Sequence, residues 1–141
     1  MTVAEYLAQA GRKRFAWGGE IDCWLFGFDW VREVTGIDAL QEFRGRYANA
    51  REQRRFIAAY GGTKAFTDRL LLPLGYVGTQ DPWPGDVALA WWGWREFHGR
   101  MIMVHVSAIC VRPRLWAVKP LDGGIMLADF PIAHAWTFDR G

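Results

Sequence analysis

The sequence predicts a single α+β domain over residues 1–141, with helices first and an antiparallel β-meander after them. Two patterns carry this. Apolar residues recur at helical spacing between capping signatures through the first half. After a Pro-Trp-Pro-Gly turn at 82–85, the pattern changes to short runs rich in β-branched and aromatic residues. No internal repeat, low-complexity tract or linker divides the chain.

Thr2-Val3-Ala4-Glu5 has the Thr-x-x-Glu form of a capping box and opens a short helix that Gly11 stops. A basic run at 12–14 leads into a loop at 15–22, where Gly18 and Gly19 permit positive φ. Residues 23–34 read as a strongly apolar helix. Trp24, Phe28, Val31 and Val34 fall near helical spacing, Leu25, Phe26 and Trp30 widen the buried face, and Gly36 ends it. Asn49-Ala50-Arg51-Glu52 caps another helix, running to Tyr60, with Phe56 and Ala59 inward and Arg51, Arg54 and Arg55 toward solvent. Gly61-Gly62 stops that helix, and residues 63–72 form a further one closed by Pro73. In the second half, residues 86–92 suit a strand and 93–99 a loop. Residues 101–111 suit a second strand, 112–114 a tight connection and 115–119 a third strand. Beyond a Gly123-Gly124 turn, residues 125–138 hold one more strand or a strand plus a short helix.

The chain has 141 residues, 51% hydrophobic and 23% charged, enough apolar material for one core and far from a disordered composition. Its longest stretches without a formal charge, 70–80 and 101–111, have 11 residues each and are too short to span a bilayer, so no membrane span is expected. The first fifteen residues hold no apolar core behind a basic start, so no cleaved secretory signal is expected and synthesis in a reducing cytoplasm is. Two cysteines without CxxC spacing argue against a disulfide framework and a structural zinc site, and neither metal nor cofactor is expected. Seventeen cationic residues, 14 of them Arg, face 15 carboxylates. A net charge of +2 is too balanced to name nucleic acid as a partner.

Cys23 is the position most suggestive of chemistry. It follows the glycine loop and opens the apolar helix, where free N–H groups and the positive end of the helix dipole favour a thiolate. Asp22 stands where its carboxylate can cap that helix and rigidify the loop. His105, on the same strand face as Ser107 and Ile109, is the candidate base, since a strand beside a helix start can bring an imidazole to a thiol. Cys110 points to the opposite face and reads as core, while His98 and His134 read as surface or capping residues. With nine Trp and nine Phe, the chain is 16% aromatic. Trp91, Trp92 and Trp94 read as packing, with sugar stacking or an interface as alternatives.

Three motifs then form an ordered set: Phe-x-Trp-Gly-Gly-x-x-Asp-Cys at 15–23, Pro-Gly-Asp-Val at 84–87 and His-Val-Ser-Ala-Ile at 105–109. In order, spacing and helix-then-strand layout, residues 12–120 resemble the NlpC-type cysteine peptidases. That resemblance implies a papain-like fold, with the nucleophile helix starting at Cys23 and packed on a C-terminal antiparallel sheet. It also implies hydrolysis of stem-peptide bonds in bacterial peptidoglycan.

Carried over by position, Cys23 is the nucleophile and His105 the general base, and backbone N–H groups, that of Cys23 among them, receive the oxyanion. Asp22 is the structural acid before the nucleophile. Trp17, Gly18, Gly19, Trp24 and Asp86 belong to the structural or cleft positions. The family's third polar residue normally comes from the next strand. Ala117 and Val118 occupy that stretch here, which leaves Asp122, in a turn, as the acceptor within range. Two further departures are Trp24, where the family usually has Ser, and Phe15, where it often has Tyr.

A divergent branch of the family is encoded in phage tail-gene clusters. The resemblance therefore implies a virion tail-tip location, synthesis in the host cytoplasm, and bacterial peptidoglycan and other tail proteins, hub or distal, as partners. The Arg-rich stretch 44–55 reads as a solvated face, or else as a surface for an acidic protein or anionic wall polymer. A structural tail component that keeps the papain-like fold without efficient chemistry is the alternative, and a small-molecule acyltransferase or amidase on the same fold is a third reading.

Overall fold

Local capping chemistry sets the helix starts. In the computed structural model, which describes residues 1–97 and 99–139 and leaves out the side chains of 93–97 and 101–103, α1 spans Val3–Arg12. Its capping box closes as the sequence predicts: Glu5 N–H donates to Thr2 Oγ1 at 3.1 Å, and Thr2 N–H donates to Glu5 Oε2 at 3.2 Å. Helix α2 (Leu25–Thr35) ends at Gly36, which takes φ 78°. It starts two residues later than expected, because Cys23 and Trp24 form a turn ahead of it. Asn49 caps α3 (Ala50–Ala58) by accepting the Glu52 N–H at 2.9 Å. Helix α4 (Thr63–Leu71) runs into a 3₁₀ turn at Leu72–Leu74 that contains Pro73.

Six strands follow among the described residues: β1 (Tyr76–Thr79), β2 (Val87–Phe97), β3 (Arg100–Arg112), β4 (Leu115–Val118), β5 (Met126–Ala128) and β6 (Ile132–Phe138). They form one sheet in the order β1-β6-β2-β3-β4-β5, with every pairing antiparallel. Residues 93–97 extend β2 instead of forming a loop, because Trp94, Arg95, Glu96 and Phe97 pair with Met103, Ile102, Met101 and Arg100 and satisfy both backbones. Residues 125–138 supply two strands, and β1, four residues long, was not foreseen.

Period two separates the sheet's faces. On one, Val87, Leu89, Ile109 and Trp136 join Phe26, Phe28, Trp30 and Val31 of α2 in a buried cluster. On the other, Ala88, Ala90, Val106, Ala108, Cys110 and Trp116 form a second cluster. Each fully buried large apolar side chain contributes about 1.5–3 kcal/mol. Phe66 of α4 sits 4.9–5.8 Å, ring to ring, from Phe43, Phe56 and Tyr60, which absorbs part of the aromatic load and holds α4 beside α3. Helix α3 buries Gln53 and Ile57 and leaves Ala59, expected inward, exposed. Among the described residues no helix is long and apolar enough to cross a membrane.

Candidate active site

The glycine loop is organised around one carboxylate. Asp22 is fully buried, yet four donors surround it. Its Oδ1 accepts the N–H groups of Trp24 at 2.8 Å and Leu25 at 2.7 Å, capping α2, while its Oδ2 accepts Gly18 N–H at 2.9 Å and the Tyr47 hydroxyl at 2.6 Å. Gly18 sits at φ 65°, and a Cβ there would fall 2.1 Å from the Tyr47 carbonyl oxygen, so no side chain fits. Gln53 donates from Nε2 to the Tyr47 hydroxyl at 3.1 Å and ties α3 to the same network. Burial, reinforced by the Asp22 charge, pushes the Tyr47 phenol well above its usual range.

Cys23 is joined to the sheet through Ser107. Strand β4 pairs with β3 at Ile109, Cys110 and Arg112. Further along β3, the Ser107 N–H donates to the Cys23 carbonyl at 3.0 Å, so the end of the glycine loop continues where β4 stops. Ser107 Oγ donates to that same carbonyl at 3.0 Å and accepts the Gly27 N–H at 2.8 Å. A Cβ on Gly27 would lie 2.7 Å from Ser107 Cβ, so the first turn of α2 meets β3 at a distance only glycine allows.

This contact places the thiol and the imidazole along one cleft of about 210 Å³, lined among others by Cys23, His105, Trp17, Trp91, Arg54 and Thr63. Cys23 is 4% exposed. His105 Nδ1 and Thr63 Oγ1 share a hydrogen bond of 2.6 Å, and the Trp91 ring lies 4.0 Å from the imidazole, centroid to centroid. Nε2 is buried and has no hydrogen-bond partner among the described residues. Burial foremost, then the nearby His134, holds the His105 imidazole below its ordinary value, which keeps it a neutral proton acceptor near pH 7.

The remaining predicted positions lie elsewhere. Trp24 is 2% exposed and stacks on Phe66 in the core, with centroids 6.1 Å apart and planes at 13°. Gly19 donates its N–H to the Ala16 carbonyl within the loop. Asp86 shapes the turn before β2, accepting Trp83 N–H at 2.7 Å and the Thr137 hydroxyl at 2.8 Å. Asp122 lies in an exposed turn and does not reach the cleft lining. The reason is Lys119, fully buried, whose ammonium donates to the carbonyls of Ala10, Lys13 and Gly124 at 2.8–3.0 Å and draws that turn to the end of α1. The imidazole partner comes instead from α4, as Thr63. Arg54, expected in solvent, is half-buried and lines the cleft.

Cys110 is fully buried, and burial, with Asp86 nearby, pushes its thiol up to about 11. His134 is half-buried on β6, while His98 and the Trp94 side chain lie outside the described residues. Trp92 packs edge-on to Phe130. Among the described residues no three His, Cys, Asp or Glu side chains converge to hold a metal ion.

Thr63 and Tyr47 had no motif to mark them. Thr63 follows the Gly61-Gly62 stop as an ordinary helix start, and its partner is 42 residues away. Ser107 had a signal, its period-two relation to His105.

The model of a family described as a domain of unknown function (DUF6950) matches residues 1–138. No curated protein and no solved structure matches the chain.

Proposed function

The chain belongs to the DUF6950 family, and from the geometry of its cleft we propose that it is a cysteine hydrolase of papain-like, NlpC-type fold that cuts stem-peptide bonds in bacterial peptidoglycan. The observation that carries this reading is that Cys23, just ahead of α2, and His105, on β3, line the same cleft. The helix-first order and the antiparallel sheet support the papain-like assignment.

In this reading His105 removes the Cys23 thiol proton, and the thiolate, favoured by the positive end of α2, attacks the peptide carbonyl. The Cys23 N–H receives the oxyanion, because the N–H groups of Trp24, Leu25 and Gly27 already donate to Asp22 and Ser107. Collapse expels the amine, which takes the proton from His105, and water then hydrolyses the thioester. Thr63 holds Nδ1, which leaves Nε2 as the nitrogen for proton exchange. A tail-tip position on a phage particle is the proposed place of action, with peptidoglycan and neighbouring tail proteins as partners.

A structural tail component is the second reading. It is favoured by Leu121, Met126 and Leu127, large apolar side chains exposed at and beside β5, the last strand of the sheet. Digestion of purified peptidoglycan, read by mass spectrometry, separates the two. The hydrolase releases peptides and Cys23→Ala abolishes release; equal release from both proteins, or none from either, sinks the enzyme reading.

A further inference from the structure

Trp91 stands against the candidate base in a way that burial does not account for. It is 41% exposed, yet its ring lies 4.0 Å from the His105 imidazole with the planes at 59°. The two residues are direct cross-strand partners on β2 and β3. Both ladders of β2 are irregular beside this pair. The register against β6 shifts between Leu89 and Ala90, and the register against β3 shifts between Trp91 and Trp94. Between the two shifts the Trp91 N–H donates to the Pro131 carbonyl at 2.9 Å, so the backbone that aims the indole is held from both sides. Irregularities of this kind re-aim a side chain beside a site.

The groups around the imidazole come from several elements. Thr63 of α4 shares a hydrogen bond with Nδ1, His134 of β6 lies near enough to oppose a second positive charge, and Cys23 and Arg54 line the same cleft. One hydrogen bond at Nδ1 leaves the ring free to swing, because the second torsion of histidine has broad wells. An indole against the ring removes that freedom. An aromatic face within about 6 Å also attracts a cation, so the same contact favours imidazolium over imidazole. The described lining of the cleft holds no Asp or Glu to do this instead.

We propose that Trp91 is a positioning residue for the reaction: its indole holds the His105 ring against Thr63 and stabilises the imidazolium that forms when Nε2 takes the Cys23 thiol proton. The inference rests on Cys23 and His105 acting as nucleophile and base.

The test follows the ring protons of the three histidines by NMR across pH, with the His105 signal identified by its loss in His105→Gln. In wild type that signal should show cross-relaxation to the Trp91 indole. Trp91→Leu keeps an apolar neighbour but removes the aromatic face, so the His105 midpoint should fall by about half a pH unit. Alkylation of Cys23 by iodoacetamide near neutral pH should slow by about threefold in the same variant. Trp91→Phe should restore most of both. An unshifted or raised midpoint in Trp91→Leu, or no cross-relaxation in wild type, overturns the role of Trp91, and continued reaction of Cys23 then leaves the catalytic pair standing. A Cys23 inert in wild type overturns the pair and the part of Trp91 in it, even where the midpoint shifts.

Discussion

Ser107 and Cys23 are joined by two hydrogen bonds to one carbonyl: the Ser107 N–H and hydroxyl both donate to Cys23 O at 3.0 Å. Because Ser107 is two residues from His105 on the same strand face, this link fixes the Cys23 backbone beside the strand that carries the imidazole. Ser107→Ala leaves the Gly27 N–H without its 2.8 Å acceptor and should cost about 1–3 kcal/mol by denaturant titration. Gly27→Ala drives a methyl to 2.7 Å from Ser107 Cβ and should cost a similar 1–3 kcal/mol while slowing Cys23 alkylation. Wild-type stability in both variants would remove Ser107 from its positioning role.

Asp22 should be the most sensitive polar position in the loop. Asp22→Ala strands the N–H groups of Gly18, Trp24 and Leu25 and the Tyr47 hydroxyl, and should cost at least about 3 kcal/mol. Tyr47→Phe removes one donor and should cost about 1 kcal/mol. Thermal melts followed by circular dichroism check the order, and a Tyr47→Phe loss equal to that of Asp22→Ala contradicts it.

Thr63 acts through His105. Thr63→Val removes the hydroxyl at Nδ1 with little change in shape, so Cys23 alkylation should slow by about tenfold near neutral pH while the melting temperature barely moves. Thr63→Ser should restore the rate. A rate indifferent to all three side chains excludes the positioning role.

Acid should destabilise the fold partly through His105. Its folded value lies below the ordinary 6.5, so between the two the folded state binds fewer protons than the unfolded chain. The stability from keeping this imidazole neutral is present above the unfolded value and is lost as pH falls through that window. Between about pH 7.5 and 5, wild type should lose more melting temperature than His105→Gln. Parallel losses would mean that His105 is not held neutral.

Lys119 anchors the turn that carries Asp122 away from the cleft. Lys119→Met leaves the carbonyls of Ala10, Lys13 and Gly124 without their donor and should cost about 2–4 kcal/mol in chemical denaturation. A neutral result would place the carbonyls within reach of water.

What was legible in the sequence was local or periodic. The Thr2–Glu5 box and the Asn49 cap span three residues, so the pattern contains both partners. Asp22 as a cap for the helix after Cys23 was legible for the same reason, and the two β3 faces followed from period two. The loop predicted at 93–99 failed because glycine at 93 and 99 masked a strand that its neighbour stabilises. Thr63, Tyr47 and Arg54 come to the site from segments whose position depends on the Phe66 cluster. The Lys119 bond to Ala10 spans 109 positions. No spacing rule reaches across such separations, so Asp122 seemed the available partner for His105 when α4 supplied another.

The central claim is that His105 activates Cys23. The most direct test is the rate of Cys23 alkylation by iodoacetamide near pH 7, in wild type and in His105→Gln. The account predicts a loss of about tenfold or more in the variant, with the fold intact by circular dichroism. Equal rates in the two proteins, or a thiol inert in both, would contradict it.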